Sequence, residues 1–148
     1  MSSRNVMRNL LIVPLRPEHA AITPYLRQQD IDEIHASTDL SPELAVSYSI
    51  AKSERGFTAL LDNIPCAVFG VAQGTIWLVG TDEIAKYPVT FFRVSRNIFP
   101  KLSHGYPVLQ NYVHVTNTLS LRWLRWLGFH VDPPINKFHH VYFLNKEV

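Results

Sequence analysis

A single cysteine, Cys66, leaves this 148-residue chain no partner for an internal disulfide, so a reducing compartment is the simpler reading. Charged side chains are also scarce, at 18%. With 47% hydrophobic and 11% aromatic residues, that scarcity excludes disorder and implies a dense core. The net charge of +2 is too small by itself to imply a nucleic acid or a membrane as partner. No glycine–serine linker, repeat or low-complexity block divides the chain, and one domain over residues 1–148 is expected. The polar start Met1 to Asn9 and the short apolar run Leu10 to Val13 fall short of a signal-peptide core or a membrane span.

What is present is clearest between Asn117 and Phe129. Asn117 suits a helix N-cap, where its side-chain oxygen takes an orphan amide, and Gly128 suits the left-handed residue that stops a helix. Between them Leu119, Trp123, Trp126 and Leu127 recur at helical spacing, with Arg122 and Arg125 beside them. The helix is expected to be buried on most sides. Val108 to Val115 before it reads as a strand, and Phe129 to Val131 after it as extended.

Earlier in the chain, Asn9 to Pro14 is a short strand candidate. Pro17 and Glu18 open a helix that Pro24 is expected to bend or break. Ser41-Pro42-Glu43 starts another helix, which Gly56 is expected to end. Phe57 to Leu61 and Ile64 to Val71 read as a hairpin about Asp62-Asn63. Gln73-Gly74 turns into a third antiparallel strand, Thr75 to Val79. Phe91, Val94, Ile98 and Phe99 mark a helix from Pro88 onward that Pro100 is expected to discourage. His139 to Leu144 closes the chain as a strand. A single α/β (α+β) domain follows, a mixed central sheet with helices on both faces.

Asn117, Ser120, Gly128 and Phe129 match in type and spacing the carboxyl-terminal motif of the GNAT superfamily, the acyl-coenzyme-A N-acyltransferases, which the chain resembles; Leu124 stands at the family's usual tyrosine. Arg27-x-x-Asp30-x-x-Glu33, Gly70-Val71, Trp77 to Ile84, Asn111-Tyr112-Val113 and Trp123 to Phe129 together resemble a narrower group, the small GNAT-like internal virion proteins of short-tailed bacteriophages. That resemblance covers about Asp30 to Pro133. It implies a virion or host-cytoplasm location and protein partners in the virion or host, while the residues themselves lead to no specific nucleic acid and no membrane.

The GNAT resemblance also implies a coenzyme cleft where the strands Val108 to Val115 and Thr75 to Val79 run parallel and splay apart. It gives Leu78, Gly80, Asn117 and Ser120 to the coenzyme. The family's phosphate loop, however, is replaced by Gly80-Thr81-Asp82-Glu83. Its close-approach glycines are missing, and two carboxylates would face the phosphates. Alternatively, Asp82 and Glu83 simply charge a helix start. Leu124 cannot supply the family's acid; Tyr112 and His114, two apart on a strand, are the substitutes. The expectation is a GNAT-fold virion or assembly component with lost or weak acetyltransferase chemistry and no cofactor. The alternative is an active N-acetyltransferase using acetyl-coenzyme A on an amine of a small molecule or protein.

Other chemistries are weak. His139 and His140 should point to opposite faces of a strand, and no Cys/His pair has zinc-ligand spacing, so no metal is expected. Cys66, after Pro65, reads as a small buried hydrophobe. Arg122 and Arg125 interleaved with Trp123 and Trp126 raise nucleic-acid contact, but the plainer reading puts both tryptophans in the core and both arginines on a solvated edge.

Overall fold

The computed structural model describes residues 9–146; the polar start before Asn9 lies outside them. The strands are β1 (Leu10–Pro14), β2 (Arg55–Leu61), β3 (Ile64–Ala72), β4 (Thr75–Gly80), β5 (Val108–His114), β6 (His130–Val131) and β7 (Phe138–Leu144). The helices are α1 (Gln28–Ser37), α2 (Pro42–Lys52), α3 (Asp82–Lys86), α4 (Pro88–Ser103) and α5 (Thr118–Leu127), with a 3-10 segment over Pro17–Tyr25. They form a seven-stranded mixed sheet, order β1-β2-β3-β4-β5-β7-β6, with helices on both faces.

Two tight turns set the β2–β3–β4 meander. Asp62 and Asn63 have φ of 52° and 67°, and Gln73 and Gly74 have 51° and 82°. These left-handed pairs match the twist of hairpin strands, and Asn and Gly adopt them at low cost. Alternation along the strands then feeds two cores. Phe69, Ile76 and Leu78 face α4 and α5, where Trp123 lies 5.6 Å from Phe69 and stacks on Phe91 at 6.1 Å. Val68, Trp77 and Val79 face Ile22, Val46 and Ile50 of the opposite layer.

Helix α5 runs between the caps its sequence announces. Asn117 accepts from the Ser120 amide at 3.4 Å, and Gly128 has φ of 102°. Likewise Ser41 caps α2. Pro24 ends in a break, as expected: the 3-10 segment stops at Tyr25 and α1 begins afresh at Gln28.

Three expectations are corrected. Gly56 lies within β2, and α2 ends at Lys52, with Ser53 hydroxyl bonding back to Ser49 O at 2.8 Å. Gly56 is small because Leu15 packs there: a Cβ would lie 2.4 Å from Leu15 Cδ2. Pro100 does not stop α4, which runs on to Ser103; the proline is on the exposed side, where the carbonyl it leaves unpaired is open to water. Trp126 is 40% exposed, because it sits at the border of the apolar stripe that buries Leu119, Trp123 and Leu127.

Candidate functional site

Strands β4 and β5 run parallel, as expected, and share one ladder pair, Thr75 with Gln110. Asn111 Nδ2 adds a bond to Ile76 O at 2.6 Å. From there toward Gly80 and His114 the strands splay. Helix α1 lies against that opening, because the residues before it pair with the end of β4: Leu26 bridges Thr81, and the Arg27 amide donates to Gly80 O at 2.9 Å.

That attachment delivers three charged side chains, Arg27, Asp30 and Glu33, spaced three apart and so on one side of α1. Arg27 and Asp30 are 4% and 2% exposed, and Asn117 at the start of α5 is fully buried. Arg27 forms a bidentate pair with Asp30, Nη2 to Oδ1 at 2.8 Å and Nε to Oδ2 at 3.1 Å, and donates to Asn117 Oδ1 at 3.0 Å. Asp30 Oδ2 also accepts the Gly80 amide at 2.9 Å. Asn117 Nδ2 donates to Asp30 at 3.3 Å and to Glu33 at 3.2 Å. Glu33 Oε2 accepts the His114 amide at 2.6 Å. The two carboxylates therefore tie the ends of both splayed strands to α1.

The electrostatics follow from burial. Desolvation lifts the Asp30 carboxyl above its usual value, opposed by the Arg27 guanidinium, the Gly80 amide and the Asn117 amide. Desolvation pushes Glu33 up to about 7, against its bonds from His114 and Asn117, and the charge of Asp30 adds to the rise. A carboxyl poised there exchanges a proton near neutrality, although both its oxygens already accept from the protein.

Of the four positions expected for a coenzyme, Leu78 is a core side chain, the Gly80 amide is held by Asp30, and both polar atoms of Asn117 are used. The Ser120 hydroxyl, buried and without a hydrogen-bond partner among the described residues, has unspent capacity. After β4, the Thr81 amide donates to Cys66 O at 2.9 Å and the Thr81 hydroxyl accepts from the Glu83 amide at 3.3 Å. Asp82 and Glu83 form the first turn of the five-residue α3, and Glu83 pairs with Lys86 at 3.0 Å. The Thr81, Glu83 and Ile84 amides are spent internally and two carboxylates stand in the same turn, so the residues present do not fit a coenzyme pyrophosphate held in the usual way.

Tyr112 and His114 share one face of β5 but turn to β7. Tyr112, 60% exposed, packs at a tilt against His140 with ring centroids 4.9 Å apart, and the His114 ring stands edge-on to Phe138 at 5.2 Å with Nδ1 on Thr116 Oγ1 at 2.8 Å. Tyr112, Phe138 and His140 line an open groove of about 740 Å³ between the end of α1 and the loop after β6. Cys66 is buried. Among the described residues no three His, Cys, Asp or Glu side chains gather as a metal site, and no helix is long and apolar enough to cross a membrane. Sequence reasoning noted Arg27, Asp30 and Glu33 only as part of a resemblance; their equal spacing was the available signal for a common role.

No family model matches the sequence, and no curated protein resembles it at a significant level. Solved structures do match the fold. The ACIAD1637 protein of Acinetobacter baylyi is 13% identical with a TM-score of 0.66, covering 95% of each chain. The PaiA N-acetyltransferase of Thermoplasma acidophilum, solved with coenzyme A, is 12% identical with a TM-score of 0.60 over 93% of this chain and 99% of that one. A GNAT-family acetyltransferase of Streptococcus pneumoniae gives 13% and 0.58 over 93% and 100%. The order of strands, the β4–β5 splay and these neighbours together show that the chain has the GNAT fold.

Proposed function

We propose that this protein keeps the GNAT fold with its coenzyme cleft committed to an internal network, and that it serves as a protein-binding component of a short-tailed phage particle. One observation carries the first half: the Gly80 amide and both polar atoms of Asn117, at the mouth of the splay, are bonded to Arg27, Asp30 and Glu33. A coenzyme would have to displace a buried ion pair to reach them, and an uncompensated buried charge costs several kcal/mol. The missing tyrosine supports the same reading, since Leu124 is buried at 3% exposure and carries no proton. The particle role is supported by the sequence resemblance over about Asp30 to Pro133, and detection of the chain by mass spectrometry in purified particles tests it.

Thermal unfolding with and without acetyl-coenzyme A tests the cleft. A ligand at 100 times its dissociation constant stabilises by about 2.7 kcal/mol, which for a domain of this size raises the midpoint by several degrees. A shift below about 1 °C at millimolar acetyl-coenzyme A is expected. A larger shift that Ser120→Ala diminishes would favour an active N-acetyltransferase. That second reading draws on the open groove at Tyr112 and His140 and on the carboxyl of Glu33, raised to about 7. Acetyl-coenzyme A would then be the acyl donor, as the coenzyme-bound neighbour suggests by analogy.

A further inference from the structure

Helices α4 and α5 carry Arg93, Arg96, Lys101, Arg122 and Arg125 and no acidic residue. All five are exposed, and none forms an ion pair among the described residues. The chain as a whole has 14 basic and 12 acidic residues, so this is a segregation of charge that composition does not require. Two contacts hold the cations in place. The Arg96 guanidinium lies 5.8 Å from the Trp126 ring and that of Arg122 lies 5.5 Å from the Phe92 ring, each reaching from one helix to the other. The two rings are themselves 6.1 Å apart. Arg93 and Arg96 on one helix, and Arg122 and Arg125 on the other, stand about 4.5 Å apart along the axis. Like charges are thus pinned side by side, with no ion-pair partner for them among the described residues.

We propose that the α4–α5 face binds the phosphate backbone of a nucleic acid without reading its sequence. Guanidinium groups pair bidentately with phosphate, and backbone binding needs charge rather than an apolar core. The alternatives fit less well. A membrane-surface helix inserts an apolar face, whereas the apolar sides of α4 and α5 are buried in the core, leaving Val89 and Trp126 exposed. A protein partner is captured around a desolvated apolar centre, which two such residues hardly provide. This inference stands whether or not the cleft takes a coenzyme.

Fluorescence anisotropy with a labelled mixed-sequence duplex of about 20 base pairs tests it. Four arginine–phosphate contacts give a slope of log affinity against log salt of about −3.6, so affinity should fall about 100-fold between about 50 and 200 mM salt. The pair Arg96→Ala with Arg122→Ala should halve that slope and weaken binding at least about 10-fold at the lower salt. Arg93→Ala with Arg125→Ala, which removes no aromatic contact, should do the same. Lys52→Ala, on α2, should change nothing, and unchanged urea midpoints would confirm that every variant is folded. The proposal is overturned by no binding at about 100 μM protein and low salt, or by a salt slope that neither arginine pair alters. Displacement of the duplex by polyglutamate or anionic vesicles at matched charge overturns it too, and so does displacement by about 100 μM coenzyme A.

Discussion

Replacing Arg27 with alanine is expected to destabilise the fold by about 3–5 kcal/mol, the range for removing one partner of a buried ion pair. The guanidinium serves three acceptor atoms, two on Asp30 and one on Asn117, at 2.8 to 3.1 Å. Asp30, 2% exposed in the native chain with Glu33 close by, then loses its ion-pair partner, and among the described residues no other cation enters the network. Part of the cost should return in the double variant Arg27→Ala/Asp30→Asn, because the orphaned charge is then gone; the two single costs should sum to more than the double. Urea unfolding measures all three. A cost below about 1 kcal/mol for Arg27→Ala would mean that water solvates Asp30 and that the cleft is open.

The second large effect is a dependence on pH with the less common sign. Glu33 titrates at about 7 in the folded chain against 4.5 for the free side chain. Above pH 7 the folded protein holds an ionised carboxyl that burial disfavours. As pH falls through 7, it takes up a proton that the unfolded chain does not take until near 4.5, so stability rises with acidification across that window. The gap of about 2.5 units, at about 1.36 kcal/mol each, sets a ceiling of about 3 kcal/mol. Asp30, also raised by burial, acts in the same direction. His19 opposes them below its usual 6.5, since burial lowers its value while its ring bonds Thr58 Oγ1 at 2.6 Å. Glu33→Gln isolates the carboxyl: it should be more stable than the native chain at pH 8, with the advantage shrinking steadily to pH 5. A difference that stays constant over that range would remove the titration from Glu33.

The elements were legible wherever one residue type has one backbone use. Asn117 and Gly128 bounded α5, and Asp62-Asn63 and Gln73-Gly74 marked both hairpin turns through their left-handed φ. The parallel, splayed β4–β5 pair came from the GNAT resemblance. Errors arose where a residue has two uses. Gly56 reads as a helix stop, yet its lack of a Cβ answers to Leu15 packed against β2. Pro100 reads as a breaker, yet an exposed helix side tolerates it. Trp126 reads as core because helical spacing alone does not separate the centre of an apolar stripe from its edge.

The site was harder to read. Asn117 was found as a cap, and its second task was not. The trio Arg27, Asp30 and Glu33 has the spacing of one helix face, but a charged face ordinarily means solvent. Only the splay of two strands distant in sequence, with amides at Gly80 and His114 to be satisfied, explains why these charges are buried. Tyr112 and His114 do share a face, but cross-strand partners on β7 orient both rings.

The central claim is that the Gly80 and His114 amides at the mouth of the splay belong to Asp30 and Glu33. Amide proton–nitrogen correlation spectra recorded while acetyl-coenzyme A is titrated to about 1 mM test this at the two atoms concerned. The expected result is that both resonances stay in place, while Glu33→Gln without any ligand moves that of His114. A progressive, saturating shift of Gly80 and His114 with acetyl-coenzyme A would show that the coenzyme displaces the carboxylates, contradicting the account and making the protein a coenzyme-binding acetyltransferase candidate.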